Sequence, residues 1–131
     1  VEARSWASAS WPAFRALHAY ANARATGENV GSFWTWCQDS KHPLVWSATP
    51  KKLAMTESAT LKANDRLRAK RVFAVDKRVD PSGEIFMEAH IKIAEGGGAL
   101  APRIYFLHSP ETGTLHVGYF GPHRNVPNTL S

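Results

Sequence analysis

Apolar and polar side chains alternate with a period of two along residues 84–93, 103–108 and 115–120. Successive side chains of a strand point to opposite faces, so the alternation predicts three strands whose two faces differ in chemistry. Ile85, Met87, Ala89, Ile91 and Ile93 fall on one face with Ile104, Phe106, Leu115, Val117 and Tyr119. Glu88, His90, Lys92, Arg103, Tyr105 and His116 fall on the other. Gly96-Gly97-Gly98 and Ser109-Pro110-Glu111-Thr112-Gly113 are short enough to join the three as antiparallel hairpins.

Upstream the period changes to that of helices. Ser10-Trp11-Pro12 predicts a helix start, with Ser10 as N-cap and Pro12 in the first turn, where a missing N–H is no loss. Phe14, Leu17, His18 and Ala21 follow at helical spacing, and Gly27 is placed to end the helix. A second helix over residues 32–39 presents Phe33, Trp36 and Cys37, and Leu44-Val45-Trp46 reads as a short strand. Thr49-Pro50 predicts the start of a third helix carrying Leu53, Ala54, Leu61 and Leu67. The weak formers Thr56, Ser58, Thr60 and Asn64 predict a break there, with a second helical piece over residues 65–70. Residues 72–75 read as a strand, and Asp80-Pro81-Ser82-Gly83 as a turn. From Gly121 onward, Gly and Pro predict an irregular tail over residues 121–131. Helices first and strands afterwards make the expected fold α+β. The N-terminal helices pack on one face of a C-terminal three- to four-stranded antiparallel meander, in one domain over residues 1–131.

A composition of 44% hydrophobic and 21% charged residues excludes a disordered chain. One cysteine, Cys37, excludes an internal disulfide framework and a Cys-rich zinc site, and fits a cytoplasmic setting. No apolar run approaches the roughly 18 residues of a membrane span, so no membrane partner is expected. The chain opens Val1-Glu2-Ala3-Arg4, without initiator Met or signal sequence, which predicts a module of a larger, bacterial protein whose other domains are its intramolecular partners.

Charge placement changes the picture more than charge total. Residues 51–79 hold nine basic and three acidic side chains, a net +6, whereas the rest of this +5 chain sums to −1. A local excess of this kind is the footprint of a polyanion binder, the alternative being a solvated helix face.

The polar strand face supplies the candidate chemistry. A first hairpin centred on the glycines sets His90 opposite Tyr105, and a second centred near Pro110 sets Tyr105 opposite His116. Cβ atoms of such opposed residues lie roughly 5 Å apart, so His90, Tyr105 and His116 are expected in one row flanked by Glu88, Lys92 and Arg103. As an enzyme cleaving phosphodiesters, the row uses His90, Tyr105, His116 and Glu88 for proton transfer, with Lys92 and Arg103 on the phosphate. As a nucleic-acid-binding surface, Lys92 and Arg103 contact phosphates together with Arg66, Arg68, Lys70 and Arg71 of the basic segment and His123 and Arg124 at the sheet end, while Tyr105, Phe86 and Phe120 stack bases. As a metal site, His90, His116 and Glu88 supply ligands, but no HExxH or comparable spacing supports it, so neither metal nor cofactor is expected. As a protein-interaction domain, Phe86, Leu107 and Phe120 dock a partner. His108 and His18 sit on apolar parities and read as core-edge residues, and Cys37 among Trp34, Trp36 and Trp46 reads as a packed thiol.

Two helices followed by a basic antiparallel meander with Arg, His and Tyr on its strands resemble, in layout, the small ribosome-dependent ribonuclease toxins of the RelE type. The resemblance implies ribonuclease chemistry, although the leading strand of those toxins is not evident here. The first expectation is a nucleic-acid-binding module, for DNA or RNA. A ribonuclease-like enzyme with acid/base histidines and a protein-interaction domain are the alternatives.

Overall fold

The computed structural model describes residues 2–27, 29–93, 101–110 and 112–127. Its order is α1 (Glu2–Ala25), α2 (Phe33–Asp39), β1 (Leu53–Ala54), α3 (Ala59–Ala63), α4 (Asp65–Ala69), β2 (Val72–Ala74), β3 (Glu84–Phe86), β4 (His90–Lys92), β5 (Pro102–Ser109) and β6 (Thr114–Pro122). The fold is α+β, with an antiparallel sheet ordered β1-β4-β5-β6 and a separate β2-β3 hairpin.

Helix α1 begins before Ser10 because Ala3, Ala7 and Ala9 are strong helix formers and carry it through Pro12. Ser10 is therefore no cap, and its hydroxyl donates back to the Trp6 carbonyl at 2.6 Å. The helix ends as expected at Gly27, which has φ +86°. Ser32 caps α2 by accepting from the Thr35 N–H. Leu44-Val45-Trp46 is not a strand: Val45 N–H donates to His42 and Ala48 N–H to Trp46, turning the chain while all three side chains lean on the helical core.

Thr49-Pro50 opens a turn rather than a helix. Lys52 and Leu53 N–H both donate to the Thr49 carbonyl, and the chain then pairs with β4 as β1, which buries Leu53. The break expected in this region is present as two single-turn helices, α3 and α4, capped by Ser58 and Asn64. The basic segment thus folds beside the sheet. No helix among the described residues is long and apolar enough to cross a membrane.

The run over residues 84–93 is not one strand. Met87 N–H donates to the Arg71 carbonyl, in line with the β2-β3 hairpin, whereas β4 pairs with β5. Ile85 and Met87 accordingly leave Ile91 and Ile93 and join a second core. Between the hairpin strands, Asp80-Pro81-Ser82-Gly83 makes the expected turn, with Gly83 at φ +81°. The triple glycine between β4 and β5 lies outside the described residues.

The two faces of the sheet carry different cores. Ile91, Ile104 and Phe106 pack against Ala13, Ala16, Leu17 and Tyr20 of α1 and Phe33 and Trp36 of α2. On the other face, Met87, Tyr105 and Val126 form a smaller cluster with Phe73, Ile85, Leu107 and Tyr119. The β2-β3 hairpin lies so close to β6 there that a Cβ at Gly118 would stand 2.6 Å from Met87 Sδ and 2.8 Å from Phe73 Cβ. The face that carries His90, Tyr105 and Arg103 is therefore largely covered. Regular structure also extends into the stretch expected to be irregular: β6 runs to Pro122, and His123–Asn125 forms a 3-10 turn that brings Val126 back into the second core.

Candidate functional site

Pairing across the sheet sets His90 opposite Tyr105 and Lys92 opposite Arg103, as the first hairpin predicts. The second hairpin behaves differently. Tyr105 faces Tyr119, but Phe106 faces Val117, so Gly118 is the extra residue of a β-bulge. The bulge moves Tyr119 onto the Tyr105 side and leaves His116 opposite Leu107. His116 is held there by Thr112 and Thr114 hydroxyls at 3.2 and 2.9 Å. The expected row of His90, Tyr105 and His116 is not formed, and His90, His116 and Glu88 do not converge on a metal. Among the described residues no three His, Cys, Asp or Glu side chains do.

Tyr105 is fully buried and stacks on His90, with ring centroids 4.6 Å apart at 23°. His90 Nδ1 lies 2.8 Å from the Glu88 carbonyl, which only accepts, so Nδ1 carries the proton and Nε2 is a bare acceptor. Arg103 Nη1 donates to that Nε2 at 3.4 Å. Burial, foremost, pushes the His90 pKa down to about 3, and the cations Arg103, Lys92 and Arg71 push the same way, so the ring is neutral at neutral pH. A neutral ring fixed at both nitrogens orients a guanidinium and is poorly suited to moving protons. The Tyr105 hydroxyl is pushed up, first by burial and then by Glu57.

Two arginines are buried here. Arg71, expected among the surface contacts, is 0% exposed. Its Nε bonds Glu57 Oε2, Nη1 donates to the Leu67 carbonyl at 3.1 Å, and Nη2 donates to the Val126 carbonyl at 3.0 Å. Glu57 also accepts from the Tyr105 hydroxyl at 3.4 Å. Glu88, half-buried, does not face the site chemistry. Its carboxylate accepts from the Glu57 N–H at 3.0 Å and pairs with Lys62 at 3.5 Å.

Arg103 is 7% exposed. Ion pairs among the described residues join Lys62 to Glu88, Arg71 to Glu57 and Arg78 to Asp76, so neither Arg103 nor Lys92 has a carboxylate. Burial and then Arg103 push the Lys92 pKa down, with the Glu57 charge pulling the other way. The turn after β6 adds His123, whose N–H donates to the Ala101 carbonyl at 3.0 Å. His123 Nε2 is buried without a hydrogen-bond partner. Burial first, then Arg103, Arg71 and Lys92, hold that ring's pKa down. Arg103, Lys92 and His123 therefore make a basic cluster in which no ion pair among the described residues engages any of the three, and Glu57 is the carboxylate whose charge reaches Lys92. Removing a guanidinium from water without an ion-pair partner costs several kcal/mol, so the cluster favours an incoming anion.

Arg66, Arg68 and Lys70 are exposed on and after α4, and Arg124 is exposed beyond β6. Arg68 lies 4.6 Å over the Phe86 ring. Phe86, Leu107 and Phe120 do not form one patch. Leu107 packs in the second core, while Phe120 meets Phe14 of α1 edge-on at 5.0 Å on the helical side. His108 is half-buried against Tyr20 as expected, whereas His18 is exposed and bonded to Asn22. Cys37 is buried, and burial pushes its pKa up to about 11, which makes the thiol inert.

Sequence reasoning overlooks Glu57, whose partnership with Arg71 has no local signal, and misplaces Tyr119. An isolated glycine within a strand, Gly118, was the available sign of the bulge. Compared with protein-family models, curated proteins and solved structures, the chain matches none.

Proposed function

We propose that this domain binds nucleic acid through its phosphates, with Arg103, Lys92 and His123 forming the central contact. The observation that carries the reading is a nearly buried arginine beside a lysine and an unpartnered histidine nitrogen, none of them in an ion pair among the described residues. Phosphate oxygens supply acceptors and negative charge to such a cluster. Arg66, Arg68, Lys70 and Arg124 extend the positive surface for the neighbouring phosphates of a chain, and Arg71 serves from inside by fixing the end of α4. His90 acts as a positioning residue, holding Arg103 through its bare Nε2.

Fluorescence anisotropy with single- and double-stranded DNA and RNA tests this. Binding is expected to weaken steeply with salt, and Lys92→Ala is expected to shallow the dependence of log K on log salt by about 1. No salt-dependent binding to any of the four nucleic acids overturns the proposal.

A further inference from the structure

We infer that the cavity between the N-terminal helices and β5 is a second binding site, which takes a small aromatic monocarboxylate. It is separate from the nucleic-acid reading and does not rest on it. The cavity measures about 240 Å³ and has apolar walls from Phe33 of α2, Phe106 of β5, Phe86 of β3 and Met55 after β1. A dry cavity of roughly 150 Å³ holds a benzene ring, so this one has room for a ring and a short arm. Phe33 and Phe106 already meet edge-on at 5.4 Å. Rings in such arrangements gain more than their buried area alone supplies, which favours an aromatic body over an aliphatic one.

Charge decides the arm. Arg24 of α1 lines the cavity and is exposed, so it stands where the cavity meets solvent. Its Nη1 donates to the Tyr20 hydroxyl at 2.8 Å and to the Gly31 carbonyl at 3.4 Å, which holds the guanidinium in place. No ion pair among the described residues engages it. His108 lines the same cavity, and its Nε2 is buried without a hydrogen-bond partner. Burial first, then Arg24 and His116, hold that ring's pKa down. The neutral ring, as its Nε2–H tautomer, donates to a carboxylate oxygen. Glu88 also lines the cavity, but its carboxylate accepts from the Glu57 N–H at 3.0 Å and pairs with Lys62 at 3.5 Å, so its charge already has a partner. A cationic arm would lie beside Arg24, and a neutral arm would gain weaker hydrogen bonds than a carboxylate gains from a guanidinium.

NMR titration of the domain with phenylacetate, phenylacetamide and phenethylamine at matched ionic strength tests the inference. Phenylacetate is expected to shift the backbone amides of Phe33, Phe106 and His108 with a Kd of about 1 mM. The amide is expected to bind about tenfold more weakly and the amine more weakly still. Arg24→Gln, an exchange at an exposed position, is expected to level the acid and the amide. Ala89→Leu, which adds bulk at the cavity wall, is expected to abolish binding of both. Should Ala89→Leu fail to fold, the three compounds on the unsubstituted domain and on Arg24→Gln decide. Equal affinity for the three, shifts centred away from the cavity, or no binding of phenylacetate overturns the inference. An acid preference that survives in Arg24→Gln overturns it as well. None of these outcomes touches the nucleic-acid reading.

Discussion

Arg71 and Arg103 carry the same charge, flank the same tyrosine and are both removed from water, yet their surroundings are opposite. Arg71 has a carboxylate from Glu57 and two backbone carbonyls from separate parts of the chain. Arg103 has the bare nitrogen of a neutral histidine, the Tyr105 hydroxyl and two further basic groups nearby, but no ion pair among the described residues. A buried charge with its partners in place ties elements together. A buried charge facing other cations leaves unmet demand that a ligand can satisfy. The first end is scaffold, and the second is where we propose the site.

Substitutions at the Arg71 end strike hardest. Glu57→Gln leaves the Arg71 guanidinium uncompensated and is expected to cost about 3–5 kcal/mol in urea unfolding. A loss below about 1 kcal/mol would show that the two arginines do not differ as described. Next in size is Gly118→Ala, whose methyl meets Met87 and the backbone-proximal carbon of Phe73. Overpacking there is expected to cost about 1–3 kcal/mol and to lift the β2-β3 hairpin from the face.

Acid probes the link between the two ends. The folded-state pKa of His90 is pushed from the usual 6.5 to about 3, so the unfolded chain binds the proton more readily. Its contribution to stability is complete above about pH 6.5 and is lost as pH falls toward 3, by up to ~1.4 kcal/mol per pH unit within that window. His90→Gln is expected to flatten that slope in pH-dependent unfolding, and an unchanged slope would contradict the neutral, locked ring. The smallest stability change belongs to Arg103→Met. With no carboxylate left behind, it is expected to unfold within about 1 kcal/mol of the unsubstituted domain while losing nucleic-acid affinity.

The helix-facing side of the sheet was legible from alternation, because Ile91, Ile104 and Phe106 sit on regular parity in strands joined by short connections. His90 opposite Tyr105 and Lys92 opposite Arg103 were legible for the same reason. Past Tyr105 the parity reverses at Gly118, so Tyr119 takes the place opposite Tyr105 that a strict period of two assigns to His116, and His116 falls opposite Leu107. The Arg71–Glu57 pair spans 14 residues and the Tyr105–Glu57 contact 48, and no local pattern encodes such meetings. The basic segment read as surface charge. Three of its arginines do meet solvent, but the fourth at the end of α4 turns inward, where the single acid of the preceding loop waits for it.

The central claim is that Arg103, in no ion pair among the described residues, takes up an anion, and the melting temperature in millimolar phosphate against chloride of matched ionic strength tests it most directly. Mass action on a native-state site predicts that phosphate raises the Tm of the unsubstituted domain and leaves that of Arg103→Met unmoved. An equal rise in both, as general exclusion of phosphate from protein surfaces would produce, or no rise in either, would contradict it.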